Sequence, residues 1–198
     1  MKSYPVDRSV WEKGLTVEEF IENMSEHKLA MQRRLREVQI SAREAAQFNS
    51  LIRPVNMVVM TEEWCTDCLM VLPILVKISE STDLMHIKIF VRKDWPDLRE
   101  YYIGQDIHSI PVATFLDESF NIRSSFIERP VEGHRWLAQW KSAHPEIEIT
   151  RKRVDISSEV KRSLLKKVTD QLLVDMEQAY QKTLQTETVN EVAQLLGV

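Results

Sequence analysis

From its start to about residue 52 the chain sets apolar residues in short helix-spaced groups, each introduced by a cap. Thr16-Val17-Glu18-Glu19 has the form of a capping box, with Leu15 and Phe20 placed around it as a hydrophobic staple. Ser25 stands where it would cap a second helix, whose apolar positions Leu29, Met31, Leu35 and Val38 follow one face. Ser41-Ala42-Arg43-Glu44 is another capping box and predicts a short third helix ending near Phe48. Arg53-Pro54 closes this helical layer, which is expected to pack on the domain that follows.

The texture then changes to alternating strand and helix. Val55-Asn56-Met57-Val58-Val59-Met60 is a buried strand by its β-branched content and length. A helix fits from Thr66 to Glu80, with Leu69, Leu72 and Val76 facing inward, and His86 to Val91 is a second strand. Asp94-Trp95-Pro96 predicts a helix through Tyr102, since Asp caps well and Pro suits a first turn. Pro111 to Leu116 is a third strand, Asp117-Glu118-Ser119 a turn, Asn121 to Ile127 a hairpin partner, and Val131 to Trp140 a helix. The order β-α-β-α-β-β-α predicts an α/β domain, a mixed sheet with helices on both faces.

His144-Pro145 interrupts the chain again. Past Ser157, the residues Val160, Leu164, Val168, Leu172, Met176, Tyr180 and Leu184 recur every four, and Leu165 and Leu173 widen them into one broad apolar face. Thr188-Val189-Asn190-Glu191 has capping-box form, and Gly197 stands where a helix would stop. The pattern predicts one long helix broken near Gln185, or two helices, folded back on their own domain. The expected organisation is a helical N-terminal extension over 1-52, the α/β domain over 53-142 and a helical C-terminal extension over 143-198.

Composition narrows the function classes. The 26 Lys and Arg against 30 Asp and Glu give a net charge of −4, which argues against a nucleic-acid surface. Only 4 of 198 residues are Gly, too few for a Gly-rich phosphate loop. Residues Met1 to Arg8 hold no continuous apolar stretch, so no secretory leader is expected, and no apolar run approaches the ~18 residues of a membrane span. Two cysteines cannot staple a fold of this size, so the expected compartment is the cytoplasm, where thiols stay reduced.

Those two cysteines carry the chemistry. They stand as Trp64-Cys65-Thr66-Asp67-Cys68, directly after a predicted strand and at the opening of a predicted helix. Free N–H groups and the dipole at a helix N-terminus favour a thiolate, the species that attacks a disulfide. Cys65 is expected to lie exposed at the helix start; Cys68, one turn on and deeper, is placed to resolve a mixed disulfide. Asp67 favours the helix by about 0.3–1 kcal/mol. Its charge also opposes a Cys65 thiolate: at ~8 Å and an effective dielectric of ~20 the repulsion is about 2 kcal/mol. The dipole pulls the other way with comparable size, so the direction of the Cys65 shift stays open. A structural zinc site wants four ligands, and His27, His86, His108, His134 and His144 supply no second pair, so no metal is expected. Of these, His108 is the best placed to touch the site. Arg92 and Arg129 read as ordinary surface or salt-bridge arginines, and Met57, Met60 and Met70 as core.

With Trp64 before the first cysteine, Pro73 five residues after the second and Ile110-Pro111 before the third strand, the chain resembles the thioredoxin fold family over about residues 53 to 142. More narrowly, the N-terminal helical extension, Glu62-Glu63-Trp64-Cys65 with Asp67, and the late Glu128-Arg129-Pro130 look like a bacterial thioredoxin-like family. The resemblance implies a thioredoxin-like mixed sheet, a kink in the cysteine helix at Pro73, and a cis proline at Pro111 beside the cysteines. It gives Ile110 backbone pairing with substrate and Trp64 a place at the rim of the sulfur. It departs at three points. Thr66-Asp67 replace Gly-Pro, Val59 stands where the family has a buried aspartate, and the glycine after the hairpin is missing around Ser125 to Arg129. Glu62, Glu63 and Asp67 are the candidates for the missing carboxylate, with Glu63 and Asp67 the expected modulators of the pair.

The implied activity is thiol–disulfide oxidoreduction on protein or small-molecule disulfides. Cys65 is the nucleophile, Cys68 the resolving thiol, and Trp64, Ile110 and Pro111 the substrate platform. No bound cofactor is needed, because the dithiol carries two electrons; thioredoxin reductase or a low-molecular-weight thiol would return them. No nucleic acid and no membrane partner are expected. The alternative is a redox-sensing binding or scaffold protein that uses the same fold without turnover.

Overall fold

The computed structural model describes residues 3–198, so Met1 and Lys2 of the expected leaderless start lie outside it. The described chain divides into two compact units, one running up to Pro130 and taking in Gln185–Val198, the other Val131–Leu184.

The first unit is built on a four-stranded sheet in the order β2-β1-β3-β4, with β1 at Val55–Thr61, β2 at Met85–Val91, β3 at Val112–Leu116 and β4 at Ile122–Ile127. β1 runs parallel to β2 and antiparallel to β3, and β4 closes as an antiparallel hairpin partner. Every residue of β1 but Asn56 is buried, and so is all of β3. Near-continuous apolar runs of this kind are what a strand covered on both faces requires. Register places the end of β1 beside the start of β3, with Val59 opposite Ala113 and Met60 opposite Val112. The loops that follow β1 and precede β3 therefore leave the sheet at the same end.

Helices α1 (Arg8–Trp11), α2 (Val17–Asn23), α3 (Lys28–Glu37) and α4 (Ala42–Phe48) form the N-terminal layer, and α5 (Thr66–Glu80) and α6 (Pro96–Gly104) connect the strands. Thr16 and Ser41 both form complete capping boxes, with Glu19 and Glu44. The expectation at Ser25 fails. α3 starts three residues later behind His27, which has φ 55° and makes no side-chain cap. Its buried face carries Met31 and Arg34, while Leu29 is 80% exposed. Asp94 does not cap either; Trp95 holds that position, with Pro96 at the first turn.

The N-terminal layer belongs to the sheet unit. Leu15 exchanges both backbone hydrogen bonds with Ile89 at 2.9 Å, adding a bridge to the outer edge of β2. Gly14 permits the close approach: a Cβ there would lie 2.8 Å from the Phe90 ring. α10 (Gln185–Leu196) also belongs to this unit. Leu195 and Leu196 carbonyls accept from Ser124 Oγ at 2.8 Å and Arg123 Nη2 at 3.1 Å on β4. Residues 185–198 thus group with the sheet, and Val131–Leu184 make up the other unit.

The second unit holds α7 (Val131–Ala143), α8 (Glu146–Lys152) and α9 (Ser158–Ala179), followed by a π-type turn at Tyr180–Leu184. Trp140 stacks on His144 at 3.8 Å and donates its indole N–H to Asp175 at 2.8 Å. The turn ends at Leu184, one residue before Gln185, where the pattern predicts a break. Thr188 starts nothing: it is fully buried inside α10. The early positions of the stripe, Val160 and Leu164, are 45% and 55% exposed.

Candidate functional site

Cys65 is the N-cap of α5. Its extended backbone lets Sγ accept the Cys68 N–H at 3.3 Å, doing with sulfur what Ser or Asp does at an ordinary cap. Both cysteines are free. Cys68 is fully buried, and Cys65 is only 8% exposed rather than lying open at the helix start. The cover comes from the loop before β3: the Ile110–Pro111 peptide is cis, and the Ile110 carbonyl accepts from the Cys65 thiol at 3.5 Å. Trp64, at the rim, is 54% exposed.

The local field separates the two thiols. Cys65 is pulled below the ordinary thiol range, chiefly by the Cys68 side chain donating to it. Burial opposes this, the Cys68 and Asp67 N–H groups reinforce it, and the Asp67 charge opposes it. Cys68 is pushed well up, first by burial, then by its hydrogen bond to Cys65 and the charge there. One thiol is thus prepared to ionise and the other to keep its proton. Tyr102, in the same buried cluster, is pushed up to about 12 by burial and stays neutral.

Of the four carboxylates around the pair, Glu62 and Glu63 each have their own partners, whereas Asp67 and Glu128 share Arg129. Glu62 is buried, and its Oε1 accepts the Lys93 N–H at 2.8 Å. Glu63 turns toward the segment between α2 and α3, accepting from the Ser25 N–H, the Glu26 N–H at 3.0 Å and the Ser25 hydroxyl at 3.1 Å. These amides, Glu26 first, hold Glu63 below the usual carboxylate range. Asp67 is buried and gripped at both oxygens by Arg129, Nε to Oδ1 at 2.8 Å and Nη2 to Oδ2 at 2.5 Å. The same Nη2 reaches Glu128 Oε1 at 2.7 Å.

Glu128 also accounts for the missing glycine. It adopts φ 65°, the left-handed conformation that usually selects Gly, and its N–H donates to the Pro111 carbonyl at 2.7 Å. Val59, where the family has a buried aspartate, is fully buried and apolar. His108 does not enter the site; it is exposed and pairs with Asp106 at 3.2 Å. Arg129, read from the sequence as a surface or salt-bridge arginine, forms a buried salt bridge at the start of α5. Among the described residues, no cluster of three or more His, Cys, Asp or Glu side chains is arranged to hold a metal, and no helix is long and apolar enough to cross a membrane.

A sequence profile of the family described as thioredoxin matches residues 14–141. The chain is similar to a protein of unknown function from Pseudomonas aeruginosa, with a TM-score of 0.65 and 17% identity over 97% of this chain and 98% of that one. An HIV epitope scaffold shows the same TM-score of 0.65 at 16% identity, again over 97% and 98% of the two chains. At such identities the likeness shows the fold alone. Comparison with curated proteins gives no match.

Proposed function

We propose, from the premise that this chain belongs to the thioredoxin family, that it is a thiol–disulfide oxidoreductase acting on protein or small-molecule disulfides through Cys65 and Cys68. The Cys65 thiolate attacks one sulfur of the substrate disulfide. A Cys65–substrate disulfide forms, the substrate S–S bond breaks, and the departing thiolate takes a proton. Cys68 then gives up its proton and attacks Cys65 Sγ, forming the Cys65–Cys68 disulfide and releasing the second substrate thiolate. Two electrons have passed from the dithiol to the substrate. An external thiol donor returns them, either thioredoxin reductase or a low-molecular-weight thiol, in a reducing compartment such as the cytoplasm. Ile110, Pro111 and Trp64 offer the substrate its docking edge.

The observation that carries this reading is the Cys65 sulfur itself: it caps α5, accepts the Cys68 N–H at 3.3 Å and lies 3.5 Å from the Ile110 carbonyl. The 8% exposure of Cys65 favours a second reading, a sensor or scaffold whose pair oxidises without turning over. Reduction of a model protein disulfide with dithiothreitol as electron source separates the two. Wild type is expected to turn over and Cys65→Ser to fall to background. Unchanged turnover in Cys65→Ser sinks the enzyme reading, and a reversible disulfide without turnover in wild type selects the sensor.

A further inference from the structure

We propose that Arg129 is a positioning residue for the Cys65 sulfur: by clamping Asp67 it offsets a carboxylate charge that would otherwise oppose the thiolate, and so sets how readily the pair attacks and how strongly it reduces. The proposal rests on the redox reading of the pair, and extends it to a residue 64 positions away in sequence.

The geometry leaves Asp67 little alternative partner. It is the second residue of α5, lies between the two cysteines, and its side chain is 10% exposed. Solvent screens a carboxylate so placed only weakly, and its charge acts on Cys65, a thiol that attacks only as an anion. Arg129 meets it with two N–H groups on two oxygens, the fork that guanidinium offers and lysine cannot. The guanidinium side chain is itself only 11% exposed. Its placement follows from the turn after β4. Glu128 at φ 65° hands its N–H to the Pro111 carbonyl, and the next side chain is thereby directed over the start of α5. The turn after β4 thus joins the loop carrying the cis proline, through the Glu128 N–H, to the start of α5, through the buried Arg129–Asp67 pair.

Charge counting gives the sign. Asp67, Glu128 and Arg129 sum to −1; without the guanidinium they sum to −2 beside the sulfur that must ionise. The other charged or titratable groups nearby are differently engaged. Glu62 is held by the Lys93 N–H, Glu63 by the Ser25 and Glu26 amides, and Arg92 Nη1 reaches the His108 carbonyl at 3.4 Å. His108 pairs with Asp106, and Tyr4 and Tyr102 share a buried hydroxyl contact at 3.1 Å. Arg129 therefore stabilises the reduced form, and a stabilised reduced form means a higher reduction potential.

The test is the pH dependence of Cys65 alkylation by iodoacetamide on the full reduced chain, read by mass spectrometry. Arg129→Met is expected to move the profile to higher pH and slow alkylation at pH 7 by about tenfold. Arg129→Lys, which keeps charge but not the fork, should fall between it and wild type. Asp67→Asn should move the profile to lower pH, and adding Arg129→Met to Asp67→Asn should change it little, because the arginine acts through the aspartate. In glutathione redox buffers a tenfold rise in the equilibrium constant for forming the Cys65–Cys68 disulfide reads as about 30 mV toward more negative potential. An Arg129→Met profile that matches wild type overturns the proposal, and so does an equal effect of Arg129→Met in the Asp67→Asn background. Should Arg129→Met fail to fold, Asp67→Asn decides alone: no acceleration overturns it. None of these readouts needs turnover, so failure of the oxidoreductase reading would leave the shifts intact and show only in the reduction assay.

Discussion

Glu63 and Asp67 stand two residues to either side of Cys65, and the fold treats them in opposite ways. Glu63 faces outward and is satisfied by backbone amides and a hydroxyl of the α2–α3 segment. Asp67 faces inward and is satisfied by a guanidinium. The difference teaches what burial demands. A carboxylate near solvent is content with neutral donors, because water screens what they leave uncompensated; buried Glu62 keeps to a backbone N–H, whereas Asp67, in the first turn of α5, is met by a full countercharge. The outward one ties down a loop, and the inward one bears on the sulfur.

The sharpest way to break the contrast is to leave Asp67 buried and unpaired. Arg129→Met should cost about 3–5 kcal/mol in urea unfolding, the usual penalty for stranding one partner of a buried pair. Combining it with Asp67→Asn should recover part of that loss, with a coupling of roughly 1–3 kcal/mol in the double-mutant cycle. Additive costs would mean that the two side chains do not depend on each other and would remove the contrast with Glu63.

How much of this was legible in the sequence follows from reach. The capping boxes at Thr16 and Ser41 close within four residues, so the sequence alone contains both partners. β1 is legible because burial on both faces leaves an unbroken apolar run. The Cys-x-x-Cys pair and Ile110-Pro111 are legible as motifs, and the register of β1 on β3 is what brings them to one end of the sheet. Ser25 misleads because the 25–26 segment is tied to Glu63, 38 residues away, and α3 begins behind His27 instead; Thr188 misleads because the helix containing it starts earlier and buries it. The same limit hides Arg129, whose partner lies 62 positions back. Glu128 hides the turn for another reason: a left-handed residue without glycine carries no sequence mark. How closely Ile110 covers Cys65, 45 positions away, becomes visible only with the register. Short-range chemistry is written in the sequence, whereas pairing across the sheet becomes visible only once the register is known.

The gentlest probe acts on the outward carboxylate. Glu63→Gln keeps an acceptor for the Ser25 and Glu26 amides and gives up only the charge assistance, so the stability cost, discounted for solvent screening, should be about 0.5–1 kcal/mol. Amide hydrogen exchange at Ser25 and Glu26 should quicken, since their acceptor is weaker. The Cys65 alkylation profile should stay where it is. The effects on that sulfur come from Cys68, burial and Asp67, and Glu63 is not among them. A profile that moves with Glu63→Gln as far as with Asp67→Asn would erase the distinction between the two flanks. It would make the sulfur sensitive to net charge at the helix start rather than to the one buried ion pair.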